Sequence, residues 1–507
     1  MGKALASLNE SSHNVLPVFV EVVYHEVSQM NIEAIHLEGS KAAREHKAQL
    51  GQFMTSPEIA RFMASLLDNP KQGEARVLDA GAGTGTLSCA LAQNWQSNGS
   101  KALIHLVAYE VDTQLLPVLQ KRLSEECFAS VQIHSGDFIA ESVGGQGATS
   151  YTHAILNPPY KKIASSSRHR SLLREVGIET GNLYSAFVAL ALRNLEDHGQ
   201  LVAIIPRSFC NGPYFKPFRE YILACAALTH IHLFDSRTHA FREDGVLQEN
   251  IIIRIVRGQR QGSVKISTSS TSEFEDLESR DFPYEQVVYP GDQDKFIHVP
   301  TIQSATIAKK GNNSRDSLSE LDLNVSTGPV VGFRLREHLR ESFEPGSVPL
   351  IYPAHLKAGR VRWPLMDGKK SNAIAQNQDT QKWLFPNGCY CVVRRFSSKE
   401  ERHRIVASVV SADDFKGANY LGLDNKLNVF HISKKGIPLD LAYGLTEYLN
   451  TDIVDEEFRL FSGHTQVNAT DLRRMKYPSK SRLQEVGTRL MSGENLTQSE
   501  IYSILKI

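Results

Sequence analysis

The sequence predicts an α/β fold around a mostly parallel sheet, and three observations carry that prediction. A glycine-rich turn, Gly81-Ala82-Gly83-Thr84-Gly85, joins the strand-like run Ala75 to Ala80 to a helical run, Thr86 to Trp95. Further short apolar runs follow at spacings that leave room for helices, and each closes on a polar or acidic residue. The fourth run, Tyr151 to Leu156, ends at Asn157-Pro158-Pro159-Tyr160. Ligands collect outside the carboxyl ends of such strands, which makes those ends the candidate site.

Residues 1–48 begin polar and then place apolar positions at helical spacing from Val15 to Lys47, with a break at Gly39-Ser40; they are expected to form an N-terminal helical segment. Leu50 to Ser56 leads into a helix from Pro57 to Leu67, with Ser56 as N-cap and Pro57 at the first helical position. The turn and hydroxyl before that helix suit a carboxylate; a capped core helix accounts for them equally well. The glycine turn after Asp79 has the spacing GxGxG and lets a ligand approach the backbone. The second strand, Ala102 to Glu110, ends in a carboxylate placed to take both hydroxyls of a ribose. The third, Val131 to His134, runs into Gly136-Asp137-Phe138, an acid for an exocyclic amine with a ring to lie against a base. Singly each acid reads as a solvated loop residue. In succession after a glycine turn they read as a nucleotide-like cofactor site.

At the fourth strand, proline geometry sets the chemistry. A residue before proline is pushed to extended backbone, and each proline fixes its own φ and removes an N–H. The corner therefore aims the Asn157 amide oxygen and the Pro158 carbonyl outward, with Tyr160 as a flat face beside them. That set suits a planar amine needing two acceptors and a stacking partner; a plain strand-ending turn is the alternative. Next come Lys161, Lys162, Arg168, His169, Arg170 and Arg174 with four serines, a basic loop read either as phosphate contacts or as a solvated loop. Gly181 to Leu195 reads as a helix, Gly199 to Ser208 as a strand, Asn211 to Phe215 as a turn before a helix, and His230 to Val256 as a hairpin.

The order Gln52-Phe53-Met54-Thr55-Ser56-Pro57, Asp79 to Gly85, Glu110, Asp137-Phe138 and Asn157 to Tyr160 resembles the gamma class of amino-methyltransferases, which holds the TaqI-like adenine-N6 DNA methyltransferases. The motifs run in the expected order over roughly Leu50 to Arg257. The resemblance implies a Rossmann-like methyltransferase fold with a mostly parallel seven-stranded sheet, S-adenosyl-L-methionine as cofactor and double-stranded DNA as substrate. It also implies residue roles. Phe53 and Thr55, with Asp79 and the turn of Gly81, Gly83 and Gly85, would hold the methionine part. Glu110 would take the ribose, Asp137 the adenine amine, with Phe138 and Phe187 around the ring (a core phenylalanine is the other reading of Phe187). Phe241 stands where the class places an aromatic against an extruded base.

After Gly258 the character changes: residues 266–320 are polar and include Lys309 to Ser314, a connecting region, so 49–265 is expected to be the catalytic domain. Residues 321–507 are expected to form a mixed α+β target-recognition domain. They interleave basic, amide and aromatic side chains at Arg334, at Arg360, Arg362 and Trp363, at Arg394-Arg395-Phe396, and at His464, Gln466, Asn468 and Arg473. Thr470 or Asp471 would equally serve as a helix cap. The patches Thr327 to Arg334 and Gly463 to Arg473 resemble the PstI/BsuBI-type modification methylases, which implies the target CTGCAG, methylated at adenine within a restriction–modification system.

Composition bounds these readings. The chain has 507 residues, 56 basic and 56 acidic, so bulk charge does not announce a nucleic-acid partner and any basic surface is local. No apolar run is long enough to span a bilayer, and the first residues lack a signal-peptide core. The six cysteines form no CxxC pair, so no metal is expected and a reducing bacterial cytoplasm fits. A cognate endonuclease would act at the same site without needing to bind; monomer and dimer both stay open. The amine of adenine is a weak nucleophile, and two acceptors on its N–H bonds would localise its lone pair as charge develops. Methylation of RNA adenine, methylation of a release-factor glutamine, and a non-catalytic DNA specificity subunit remain the alternatives.

Overall fold

A computed structural model describes residues 54–144, 150–234, 249–300, 316–357, 359–365, 370–397, 401–462 and 466–507. The segment 1–48, the Lys309 to Ser314 stretch, Phe53, Phe241 and His464 lie outside the described residues. The chain divides into two compact units, Met1–Ile205 and Pro206–Ile507.

The first unit is the parallel α/β layer that the sequence predicts. Its strands β1 (Glu74–Ala80), β2 (Leu103–Tyr109), β3 (Ser130–His134), β4 (Tyr151–Leu156) and β5 (Leu195–Pro206) are ordered β3-β2-β1-β4-β5, every pair parallel. Helix α1 (Pro57–Ser65) enters as expected: Ser56 Oγ accepts from the Ile59 N–H at 3.3 Å, Pro57 opens the first turn, and Ile59, Phe62 and Met63 are buried. Helices α2 (Thr86–Ser97), α3 (Leu116–Ser124), α4 (Phe138–Gly144), α5 (Arg168–Glu175) and α6 (Leu183–Asn194) connect the strands. β1 is buried from Val77 to Ala80, which a central strand covered on both faces requires. The chain leaves β1 toward β2 on one side, while β4 lies on the other. The order of the strands thus reverses beside β1, and a crevice opens at the carboxyl ends there.

The second unit holds α7 (Lys216–Cys225) and the hairpin of β6 (Ala226–Phe234) and β7 (Asn250–Arg257), paired antiparallel as read. Two more strands continue that edge: β8 (Val264–Ser269) runs parallel to β6, and β9 (Glu278–Phe282) runs antiparallel to β8. The C-terminal part is mixed α+β. One sheet has six strands, from Asn324–Thr327 at one edge through Leu427–His431, Tyr390–Arg394 and Ala407–Val410; another has five, centred on Ser347–Ile351. Helices α8 (Leu439–Leu449), α9 (Asp452–Phe461), α10 (Ala469–Arg474), α11 (Lys480–Met491) and α12 (Gln498–Leu505) follow. One buried cluster joins the sheet to them, through residues such as Val393, Phe430, Leu445, Tyr448 and Tyr477.

Candidate active site

The first unit has a cavity at the carboxyl ends of its strands, and the residues that the sequence singled out meet there. Gly81, Gly83, Glu110, Asp137, Phe138, Asn157, Pro159, Lys161 and Phe187 all line it. The glycine turn is held from behind, because the Gly81 and Ala82 N–H groups both donate to the Tyr109 carbonyl at 2.9 Å. Gly81 (φ +82°) and Gly83 (φ +58°) have left-handed backbone, which glycine adopts without penalty. A Cβ on Gly81 would stand 3.8 Å from both the Asn157 carbonyl and Phe187 Cε1, so its absence keeps the floor of the cavity open.

Glu110 is almost fully buried, and burial raises its pKa. Its Oε2 accepts from the Gly83 N–H at 2.8 Å and its Oε1 from the Asp112 N–H at 2.7 Å, contacts that favour the charged form. Asp137 accepts through Oδ1 from the Ile139 N–H at 2.9 Å and the Ala140 N–H at 3.4 Å, capping α4, and its Oδ2 meets His169 Nε2. Phe138 packs against Phe187 (centroids 5.0 Å) and Tyr109 (5.0 Å), an aromatic lining for a base.

Asn157 is held at both ends of its amide. Nδ2 donates to Thr55 Oγ1 at 2.8 Å, and Oδ1 lies 3.2 Å from the Tyr160 hydroxyl, which also reaches the Ile204 carbonyl at 3.1 Å. Pro158 is buried and Pro159 lines the cavity. Tyr160 lies edge-on to Tyr184 at 6.1 Å. Thr55, expected at the methionine part, accepts from Asn157 through its hydroxyl. Asp79 and Gly85 stand behind the cavity. Asp79 is fully buried, accepts from Ser88 Oγ at 2.6 Å, and has its pKa pushed up to about 7, first by burial and further by the charge of Glu110. A Cβ on Gly85 would meet Leu119.

The sequence reading gave no cofactor-site role to Tyr109, Met54, Leu183 and His169, which also line the cavity. Tyr109 had a signal, since it precedes the acid at the strand end. His169 had none, because only the fold of the Tyr160–Gly181 insert carries it to Asp137.

The Eco57I restriction-modification methylase family matches residues 98–241. The type II methyltransferase M.BsuBI of Bacillus subtilis is 48% identical over 91% of this chain and 94% of its own. M.PstI of Providencia stuartii is 43% identical over 90% and 92%. The type II methyltransferase M.AccI of Acinetobacter calcoaceticus is 28% identical over 41% and 37%.

The chain belongs to the type II methyltransferases of restriction–modification systems.

It is a site-specific DNA methyltransferase that uses S-adenosylmethionine. The cavity fits that donor: the glycine floor admits a close backbone approach, Glu110 suits a ribose diol, Asp137 suits an amine, and three aromatic rings line the space between. Among the described residues no cluster of ligating side chains suits a metal, and no helix is long and apolar enough to cross a membrane.

The methyltransferase's expected DNA contacts divide by what holds them. In the first unit Lys162 and Arg168 are exposed, whereas Arg170 bonds Glu179 and the Thr180 carbonyl. In the second unit Arg334 lies over the exposed Phe333 ring at 5.4 Å, Arg360 over Tyr443 at 5.2 Å, and Arg362 is exposed. Arg394 pairs with Glu401 at 3.0 Å. Arg395 reaches the Asn425 carbonyl at 3.3 Å and Gln466 Oε1 at 3.4 Å. Asn468 caps α10 in a reciprocal box with Asp471, and Arg473 donates to the Val325 carbonyl at 3.1 Å. The cap expected at Thr470 or Asp471 thus belongs to Asn468, with Asp471 completing it.

Proposed function

We propose that this methyltransferase places its methyl group on N6 of an adenine extruded from double-stranded DNA, within CTGCAG. One observation carries the reading: Asn157 and Pro159 of the corner line the same cavity as Gly81, Glu110 and Asp137. A proline-stiffened pair of oxygens beside a nucleoside site suits an amine brought to a bound donor. The sulfonium of S-adenosylmethionine supplies the activated methyl group, so the protein's task is placement and charge stabilisation.

Thr55 and Tyr160 fix the Asn157 amide, so that Oδ1 and the Pro158 carbonyl receive the two amine hydrogens. Those acceptors favour a pyramidal nitrogen and stabilise the positive charge that grows on it. The proton leaves after transfer, and no strong base is needed. In a duplex the amine is paired, so the base must leave the stack, at about a few kcal/mol. Tyr160 offers it a face, worth roughly 1–3 kcal/mol per stacked base. Residues 49–265 would carry the chemistry and 321–507 the reading of the target. The setting is a bacterial cytoplasm, where the modified site resists an endonuclease of the same specificity.

The test is label transfer from tritiated donor to CTGCAG duplex, scrambled duplex, RNA and release factor. Label confined to the CTGCAG duplex, recovered as N6-methyladenine, is expected. Label on RNA or on glutamine, or equal label on both duplexes, would overturn the reading.

A further inference from the structure

The insert between Tyr160 and Gly181 supplies one wall of the cavity through Lys161 and His169. Its helix α5 is braced. Ser167 Oγ caps it by accepting from the Arg170 N–H at 3.3 Å, and Arg174 pairs with Glu179 at 2.8 Å. The Ile163 N–H donates to the Gly181 carbonyl, and the Leu183 N–H to the Lys161 carbonyl, each at 2.8 Å. His169 is therefore presented from a fixed element, and its Nε2 meets Asp137 Oδ2.

Asp137 is then locked twice. The amides at the start of α4 hold Oδ1, and His169 holds Oδ2, so the carboxylate cannot turn about its Cβ–Cγ bond. An oxygen accepting one hydrogen bond keeps a second lone pair. The Asp137 side chain is 40% exposed, so without the histidine Oδ2 would face water and only the Oδ1 contacts would limit its rotation. We propose that His169 is a positioning residue for the cofactor: it fixes the Asp137 oxygen that receives the adenine amine, and thereby sets the preference for an adenosyl over an inosyl group. This rests on the reading of Asp137 as that amine's acceptor. An inosyl base carries a carbonyl where adenine carries the amine, and turns an acceptor toward a carboxylate. A site built to pair with a donor rejects a ligand lacking it by up to roughly 10⁴-fold.

The test is equilibrium binding of S-adenosylhomocysteine and S-inosylhomocysteine to the full chain by calorimetry. The unaltered protein should prefer the adenosyl ligand by about 100-fold or more. His169→Ala should lose about tenfold of that preference, with inosyl affinity changed less than about twofold; His169→Gln, whose amide N–H can donate, should keep most of it. Added to Asp137→Ala, His169→Ala should cost nothing further, because the two act as one unit. If His169→Ala fails to fold, His169→Asn, whose shorter amide does not reach Oδ2, takes its place. No preference in the unaltered protein overturns the reading of Asp137 itself. A preference that survives loss of the imidazole, or equal weakening of both ligands, overturns the role of His169 alone.

Discussion

Asn157 shows how much one amide depends on its neighbours. Thr55 takes its N–H and the Tyr160 hydroxyl lies against its oxygen, so its orientation is set before any substrate arrives. On the proposed mechanism Asn157→Ala removes one of two acceptors and should lower methyl transfer by about 10²–10³-fold or more. Affinity for S-adenosylhomocysteine should stay within about threefold, because Glu110 and Asp137 are untouched. Single-turnover label transfer beside calorimetric binding checks both, and a near-normal rate would remove Asn157 from the chemistry. Asp79 makes a different prediction. Its pKa rises from 3.8 unfolded to about 7 folded, so the folded state binds the proton more tightly. Its contribution to stability is complete below pH 3.8 and is lost as pH climbs to about 7. Asp79→Asn should erase that part of the slope, seen as a difference in Tm between the two proteins that grows from pH 4 to 7. Parallel profiles would mean that Asp79 ionises normally. At this scale the strand-end acids and the Asn-Pro-Pro corner were legible, since each ends an apolar run in chain order. The Asp137–His169 pair was not, because it joins residues 32 apart through the fold of an insert with no periodic pattern.

Between elements, glycines decide how closely backbones approach. Helices α8 and α11 cross with Gly444 of one against the Leu483 carbonyl and Gly487 of the other against the Asp440 carbonyl. A Cβ at either position would run into that carbonyl, so the helices must part or bend. Gly444→Ala or Gly487→Ala should destabilise by about 1–3 kcal/mol, more if the backbone cannot shift. The double variant should fall short of the sum, because the first substitution already separates the pair. Urea midpoints with unchanged m-values would report this, and an unmoved midpoint would exclude the close crossing. Neither glycine stood out in the sequence, where a lone glycine in a helical pattern reads only as a weak position. The start of α1 was legible from Ser56-Pro57 because an N-cap is a local interaction. The cap of α10 was misplaced by two or three residues because Asn468, Thr470 and Asp471 are all competent, and only the turn geometry chooses among them.

For the whole molecule, equal numbers of acidic and basic residues leave no global attraction to DNA, so binding must come from local groups. The sequence showed the basic and aromatic patches but not which side chains are spent internally. Arg394 and Arg473 have protein partners, and Asn468 holds a helix end, whereas Arg334 rides on a ring that is 67% exposed. Counterion release separates these cases: each phosphate contact contributes about 0.9 to the slope of log affinity against log salt. Arg334→Ala should therefore reduce that slope by about 0.9 if the guanidinium meets a phosphate, with affinity falling alike on CTGCAG and scrambled duplex. If it reads a base instead, the slope should hold while discrimination between the duplexes drops by about 1–3 kcal/mol. In both cases affinity for S-adenosylhomocysteine should be unchanged, because the cavity's lining lies within the first unit. Fluorescence anisotropy over a salt series measures slope and discrimination together. If slope, affinity and discrimination all stay as in the unaltered protein, Arg334 and Phe333 form an ordinary solvated surface, and Arg360 and Arg362 become the next candidates in this unit.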